Sequence, residues 1–377
     1  MNRRSRVVVA MSGGVDSSVV AALLHDAGHE VVGITLHLYG RGSRNAGTKT
    51  CCAGQDVYDA RRVADHLGIP HYVLDYEKRF QDNVMQDFAD RYAEGVTPVP
   101  CVLCNQRVKF RDLLDTAMEL DADWMATGHY VRRVEGPRGP ELHRAADASK
   151  DQSYFLFATS RTQLERLRFP LGGFSKEQTR QAAVRAGVGV AEKPESQDIC
   201  FVPDGDYRDI VRTLRPDTAA VGDIVHVDGR VLGSHAGITG FTVGQRRGLG
   251  VTDAGQPLYV VRIDAAERRV VVGPKESLGV SGISIRDVNW LADEASEPGT
   301  ELNDVQLRVR STHRGTSGRV RLLAGGRAEV SFQSPEQAVA PGQAAVFYRG
   351  SRVLGGGWIE PRSSWPPARD RDEGRAL

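Results

Sequence analysis

Long apolar runs are missing from this chain of 377 residues. No stretch approaches the roughly 20 apolar residues that a membrane-spanning helix needs. The apolar run nearest the N-terminus, Val7–Met11, is too short for a signal-peptide core, and glycines end it. Both features point to the cytoplasm. Cysteine is scarce as well, with five residues in the whole chain. In a long cytoplasmic sequence that excludes a disulfide framework and leaves buried, metal-bound or catalytic thiols. Net charge is nearly absent: 49 Lys and Arg against 48 Asp and Glu give +1. A uniformly basic nucleic-acid coat and an acidic solvating chain are therefore excluded, but a local basic strip is not. Hydrophobic residues at 40% and charged residues at 26% fit a folded globular protein. Glycine is plentiful, with 41 residues, and this favours many turns and β structure.

The length calls for two or three domains. In the first half, strand-like and helix-like segments alternate. Strands are expected at Arg6–Met11, Val31–Leu38, His71–Asp75 and Trp124–Thr127, and helices at Ser17–Ala27, Val57–Leu67, Phe80–Ala93 and Val108–Leu120. Such alternation predicts an α/β fold, a doubly wound parallel sheet with helices on both faces. After Pro203 the texture changes to short β-branched strands with glycine-rich turns: Asp223–Val227, Val231–Leu232, Leu258–Ile263 and Arg269–Val272. Gly273–Gly282 reads as a linker. A second β-rich block follows at Leu307–Arg310, Gly318–Leu322, Ala328–Phe332 and Ala344–Tyr348, and suggests a small barrel or sandwich. The expected domains are 1–205, an ATP-binding catalytic unit; 206–278, a small β-rich unit; 279–362, a C-terminal β-barrel; and 363–377, a disordered tail.

The strongest local signal is Ser12-Gly13-Gly14-Val15-Asp16-Ser17-Ser18, set between a strand and a helix. Two glycines allow positive φ and close backbone approach, so successive N–H groups and the helix N-terminus form an anion cradle. Ser12, Ser17 and Ser18 add hydroxyl donors, and Asp16 is placed to hold a magnesium ion. No lysine follows the glycines, so this is not the common GxxxxGK[ST] loop. It resembles the PP-loop of ATP pyrophosphatases, which adenylate a substrate and release pyrophosphate.

Cys101 and Cys104 form a Cys-x-x-Cys pair ahead of a helix expected to start near Arg107. A thiol at a helix entry is predicted to have a lowered pKa, because the thiolate faces the positive end of the dipole, and Arg107 and Lys109 add positive charge. Such a thiol suits a nucleophile or sulfur acceptor. Cys200 lies far away in sequence. Half a zinc site and plain buried thiols are the competing readings. Cys51-Cys52 reads as packing beside a loop.

Taken together, the motifs resemble the tRNA-specific 2-thiouridylases over nearly the whole chain, to about Glu360. The pieces are SGGVDSS at Ser12–Ser18, Cys51-Cys52 before Asp59–Arg61, and TPxPCxxCNxxxKF at Thr97–Phe110. ATGHY at Ala126–Tyr130, KDQSYFL at Lys150–Leu156 and SQDICF at Ser196–Phe201 follow. GxTxGQRRGLG at Gly240–Gly250 and PGQAAVFY at Pro341–Tyr348 complete the set. The resemblance implies ATP-dependent 2-thiolation of the wobble uridine of tRNA. The C2 oxygen is adenylated, Cys200 delivers sulfur as a persulfide, and Cys104 is nucleophile and resolving thiol, with a Cys104–Cys200 disulfide to be reduced. It implies ATP contacts at Ala10, Met11, Ser12, Gly13, Gly14, Val15, Asp16, Ser17, Leu36 and Gly128. It also implies tRNA contacts at His129, Lys150, Asp151, Gln152 and Gln343. ATP and Mg2+ are the implied cofactors. The implied partners are tRNAs of the Lys, Glu and Gln type and a cysteine desulfurase or sulfur-relay protein.

The chain departs from the family pattern twice. Cys101 stands where many relatives carry Asp, so Cys101, Cys104 and Cys200 could instead bind a 4Fe-4S cluster with one open iron. Ser311-Thr312-His313-Arg314 replaces an Arg-Tyr-Arg element. Between Arg308 and Arg327 the chain offers Arg308, Arg310, Arg314, Arg319, Arg321, Arg327 and His313 with no acid, a one-signed strip read as a phosphate footprint. Gly244-Gln245-Arg246-Arg247-Gly248 is a second basic turn. The alternative function is another PP-loop adenylating enzyme acting on RNA or a small molecule, which would not need the paired thiols.

Overall fold

The computed structural model describes residues 4–39, 52–194, 199–202, 206–253 and 255–366. Two compact units emerge: Met1–Met85 with Pro100–Gly205 and Ser351–Val353, and Gln86–Val99 with Asp206–Gly350 and Leu354–Leu377.

The first unit is built on a parallel sheet. Its strands are β1 (Arg6–Ala10), β2 (Glu30–His37), β3 (His71–Asp75), β4 (Trp124–Thr127) and the short β7 (Leu167–Arg168), ordered β3-β2-β1-β4-β7. Val7, Val8 and Val9 are fully buried. This is why β1 reads as a continuous apolar run rather than an alternating one. Helix α1 (Val15–Asp26) follows β1. It is buried almost all round, so tertiary packing outweighs the modest helix propensity of its valines. Its end is set by Gly28, at φ +83, whose N–H reaches His25 O at 2.9 Å while His29 N–H reaches Leu24 O. Helix α2 (Cys52–Leu67) covers the sheet through Ala60, Val63 and Ala64. An antiparallel hairpin, β5 (Val131–Gly136) and β6 (Gly139–Arg144), and helix α3 (Lys176–Arg185) were not expected from the sequence. Ser175 caps α3 in a reciprocal capping box with Gln178.

The helix expected from Val108 starts earlier. Helical backbone begins at Pro100–Leu103, widens to π-type turns over Cys104–Leu113 and closes as Leu114–Glu119. Pro100 suits a first helical turn because its missing N–H has no partner to lose there. Both cysteines of the Cys-x-x-Cys pair thus lie inside the helical run and not ahead of it.

The second unit is β-rich. Four strands, β8 (Gly222–His226), β9 (Val231–His235), β10 (Tyr259–Asp264) and β11 (Arg269–Gly273), form a sheet in the order β10-β11-β8-β9. Six more close a barrel: β12 (Val280–Trp290), β13 (Glu301–Arg308), β14 (Thr316–Leu323), β15 (Arg327–Glu336), β16 (Ala344–Arg349) and β17 (Arg352–Ile359). Their order β12-β15-β14-β13-β16-β17 returns to β12 through the pairing of β12 with β17. Val305, Leu307, Val330 and Phe347 fill its interior. The stretch read as a linker, Gly273–Gly282, instead ends β11, makes a 3-10 turn at Lys275–Leu278 and opens β12. Within the segment read as a tail, Arg362–Ser364 forms a 3-10 turn and Ser284 Oγ donates to Ser364 O at 2.6 Å. Residues 367–377 lie outside the described residues. Among the described residues no helix is long and apolar enough to cross a membrane.

Candidate active site

In an open α/β sheet, ligands bind beyond the carboxyl ends of the strands where the strand order reverses. Here the chain runs outward from β1 through β2 to β3, then returns to place β4 on the other side of β1. The loop after β1 and the residues after β4 therefore flank the reversal. Gly13 stands at φ +72, and a Cβ there would lie 2.1 Å from Asp56 O. Gly14 is the N-cap of α1, with extended backbone. A Cβ on Gly128 would lie 2.9 Å from Ser17 N. Only glycine fits at positions 13 and 128, and the result is a backbone cradle at a helix N-terminus. Ser12 N–H donates to Ser17 Oγ at 3.1 Å, and the Ser18 hydroxyl donates to Gly14 O at 2.8 Å. Met11 is buried, and its N–H reaches Ile34 O at 2.8 Å, continuing the pairing of β1 with β2. Leu36, near the end of β2, is half-buried. The residues assigned to ATP by resemblance thus gather at one edge of one sheet.

Two lysines that no motif announced engage this loop. Lys176, the first residue of α3, places Nζ 2.7 Å from Asp16 Oδ1 and 3.0 Å from Oδ2. The Tyr130 hydroxyl donates to Asp16 Oδ1 at 2.8 Å. Lys193 donates to Asp59 at 2.6 Å, Asp56 at 2.7 Å and Gly13 O at 3.0 Å. Burial alone would lower the Lys193 pKa, but the hydrogen bonds and charges of Asp56 and Asp59 outweigh it and hold it up. The signal for both was weak in the sequence: each is an isolated lysine, and only the Ser175–Gln178 cap marks the helix that carries Lys176.

Cys101, Cys104 and Cys200 are free thiols. Cys104 is buried, whereas Cys101 and Cys200 reach solvent. Phe201, packed 5.6 Å from the Phe80 ring, anchors the Cys200 segment. The three are close enough to feel one another's charge. Burial pushes Cys200 up to about 12, and the neighbouring Cys104 and Cys101 add to this while Lys109 opposes it. Cys101 and Cys104 are also raised, by burial first, against the same lysine. This corrects the expectation of a lowered thiol. The helix-dipole benefit is small, and desolvation of a thiolate outweighs it. The cluster reading of these cysteines gains no support among the described residues. Among the described residues, the convergent group of possible metal ligands is His37, Asp75 and Glu77, without any of the thiols. Cys51 and Glu195–Asp198 lie outside the described residues.

His129 sits beside the same lysine. Burial and the Lys109 charge push its pKa down to about 3, so the imidazole is neutral. Its Nδ1 lies 2.8 Å from Thr127 Oγ1, and its ring meets Phe110 edge-on. Asp151 accepts from Ala145 N–H, Ser153 N–H and the Ser153 hydroxyl. Gln152 Oε1 accepts from Tyr130 N–H at 2.8 Å. Both side chains therefore hold the loop next to half-buried Lys150.

In the second unit, Gln343 donates to Thr97 O at 3.2 Å. The arginine strip is not one-signed in space. Arg319 meets Glu301, Arg321 meets Glu329 at 2.6 Å, Arg327 meets Glu360 at 2.6 Å, and Arg310 and His313 both meet Glu336. Arg308 is buried against the Tyr348 ring, and Arg314 is exposed. Arg246 and Arg247 are exposed, on a turn pinned by Gln245, which accepts from Thr242 N–H and donates to Arg247 O.

Comparison with known proteins agrees with this architecture. Residues 5–204 match a family model described as a tRNA methyl transferase HUP domain. Residues 212–274 match its PRC-barrel domain, and 280–359 an aminomethyltransferase β-barrel domain. The tRNA-specific 2-thiouridylase MnmA of Paracoccus denitrificans is 58% identical over 95% of this chain and 92% of its own length. That of Rhodospirillum centenum is 57% identical over 97% and 94%. That of Rickettsia conorii is 54% identical over 95% and 96%. With such identity across almost the full length of both partners, the chain belongs to the tRNA-specific 2-thiouridylase family.

Proposed function

We propose that this protein is a tRNA-uridine 2-sulfurtransferase that replaces the C2 oxygen of the wobble uridine with sulfur at the expense of ATP. One observation carries the reading: a phosphate cradle and two sequence-remote thiols, Cys104 and Cys200, occur in the same unit. A different PP-loop adenylating enzyme would need the cradle but not the thiols.

Oxygen is a poor leaving group from a uracil ring, so it must be activated. The O2 atom forms a bond to the α-phosphorus of ATP, and pyrophosphate departs with the electron pair of the bond that breaks. The uracil N3 proton goes to solvent. Backbone N–H groups of Gly13, Gly14 and the first turn of α1 hold the phosphates, with Gly128 leaving the space and Leu36 an apolar wall. A divalent cation bound by Asp16 would offset phosphate charge.

Cys200 then supplies sulfur. At neutral pH its raised thiol is a poor nucleophile, but a persulfide on the same atom is more acidic and softer. The terminal sulfur attacks C2, AMP leaves, and a ring–S–S–Cys200 link remains. Cys104 attacks Sγ of Cys200, the thiouracil departs with the outer sulfur, and a Cys104–Cys200 disulfide forms. A dithiol reductant restores both thiols by two-electron exchange. The persulfide sulfur comes from a donor protein of the cysteine desulfurase or sulfur-relay class. An anticodon base must leave its stack to reach this chemistry. Lys150, His129 and Gln343 are the proposed tRNA contacts, with Asp151 and Gln152 shaping the loop that presents Lys150. The substrate tRNAs are those of the Lys, Glu and Gln type.

The test is thiolation by Cys200→Ser and Cys104→Ser. Both are expected to lose 2-thiouridine formation while still binding ATP. Thiolation at the wild-type rate by either would contradict the reading.

A further inference from the structure

The sulfur transfer inferred above uses Cys104 and Cys200 and leaves Cys101 without a task. Cys101 reaches solvent, whereas Cys104 is 7% exposed. The two lie three residues apart in one helical run, on either side of the join between Pro100–Leu103 and Cys104–Leu113. Leu103, between them, keeps φ −63 and ψ −40, so the turn that carries both thiols is α-helical. Residues three apart on such a turn share a face. Their Cα atoms are about 5 Å apart, inside the span that a disulfide bridges. Cys200 belongs to the same neighbourhood, because the charges of Cys101 and Cys104 both act on it, and that of Cys101 acts on Cys104. The Lys109 ammonium acts on all three. Three thiols gathered in this way offer more than one disulfide. After sulfur transfer the oxidised pair is Cys104–Cys200, and its inner sulfur is buried. A reductant that reached the outer sulfur would be linked to Cys200, the atom that must next take up a persulfide.

We propose that Cys101 is a second resolving thiol, which attacks Sγ of Cys104 and moves the disulfide from Cys104–Cys200 to Cys101–Cys104. The Cys101–Cys104 bond forms, and the Cys104–Cys200 bond breaks with its electron pair on Cys200. The proton of Cys101 goes to solvent. Cys200 takes one back, since its thiol is pushed up to about 12. One disulfide replaces another, so no net oxidation occurs in this step. A dithiol reductant then acts on Cys101, the solvent-facing end of the pair, while Cys200 is already free to be reloaded. Held on the same helical turn, Cys101 acts on Cys104 at an effective concentration above that of any dissolved thiol. The proposal rests on the sulfur-transfer reading for the origin of the first disulfide only.

The experiment uses the full chain in two parts. In the first, wild-type protein loaded with a persulfide on Cys200 makes one turnover with ATP and tRNA and no reductant, and is acid-quenched over time for peptide mass spectrometry. Cys104–Cys200 is expected first, and Cys101–Cys104 with a free Cys200 thiol should then replace it. In Cys101→Ser the first linkage should persist, and thiolation over many turnovers at limiting dithiothreitol should fall about tenfold. Cys101→Ala is the second variant should the serine variant not fold. In the second part, wild-type protein without ATP or tRNA is equilibrated with oxidised and reduced glutathione. Cys101–Cys104 is the expected linkage, with Cys200 open to alkylation. A Cys104–Cys200 linkage that never moves, or that dominates in the glutathione buffer, overturns the relay. Undiminished multiple turnover by Cys101→Ser overturns it as well. Loss of the first turnover in folded Cys101→Ser does the same, because Cys101 would then act before sulfur transfer. Wild-type protein that makes no 2-thiouridine overturns the sulfur-transfer reading instead, while the linkage found in glutathione still decides whether Cys101 takes Cys104 from Cys200.

Discussion

The phosphate loop and the arginine strip of the barrel both read as phosphate sites in the sequence, the loop more strongly, and they behave differently in the structure. The loop keeps the geometry that its residues suggest. The strip does not keep its single sign: Glu301, Glu329, Glu336 and Glu360 arrive from other strands and meet Arg319, Arg321, Arg310 and Arg327. The difference lies in what each pattern encodes. Gly13 after a buried strand permits a left-handed backbone in a space with no room for a Cβ, and this is a property of the residue itself. A run of like charges says nothing of its cross-strand neighbours, which are set by register.

The largest expected effect breaks the local side of this comparison. Gly13→Ala would force a Cβ to within 2.1 Å of Asp56 O on a backbone at φ +72. A cost of at least ~2 kcal/mol in stability and loss of ATP binding are expected, read by thermal unfolding and calorimetry. Arg321→Gln in the barrel should leave both unchanged. A smaller effect is expected at Lys193, which holds Asp56, Asp59 and Gly13 O together. Lys193→Met leaves two carboxylates facing each other and should cost about 1–3 kcal/mol. Because its pKa is held up, this contribution is present at neutral pH and is lost as pH rises through the raised value.

The charge comparison is sharpened by RNA binding. Arg246 and Arg247 are exposed, whereas Arg319 and Arg321 are paired. Replacing the first two by Gln should weaken tRNA binding and lower the slope of log affinity against log salt by about one per contact, and replacing the second two should do less. An equal loss from both pairs would restore the strip as a phosphate footprint. The smallest effect is in thiol reactivity. Cys200 alkylation should be slow at pH 7 and keep rising beyond pH ~9 without levelling, because the raised pKa leaves little thiolate at neutrality. A plateau near the ordinary thiol value would mean that water at the exposed sulfur outweighs its packed surroundings.

Much of the sheet was legible because its strands are apolar runs bounded by glycine or aspartate. Trp124–Thr127 and His71–Asp75 match the expected bounds, and Arg6–Ala10 falls one residue short. Two barrel strands were hidden by the same residue type that revealed the loop. In β17, Gly355, Gly356 and Gly357 resemble a turn, but a Cβ on Gly355 would lie 2.4 Å from Asn289 O, so glycine there permits close strand contact. In β12, Gly282 was read as linker for the same reason. Cys104 and Cys200 were legible as candidates through their motifs. Their raised pKa values were not, since burial depends on what packs around them. Lys176 and Lys193 carry no motif at all, and only the fold brings them to the loop.

The central claim is that sulfur passes from Cys200 to the wobble uridine and leaves a Cys104–Cys200 disulfide. Its most direct test is a single turnover with a persulfide loaded on wild-type protein, ATP and tRNA, followed by intact and peptide mass spectrometry. The expected result is one 2-thiouridine for each Cys104–Cys200 disulfide formed, with sulfur lost from Cys200 alone. Thiolated tRNA appearing while Cys200 retains its extra sulfur, or with both cysteines still reduced, would contradict it.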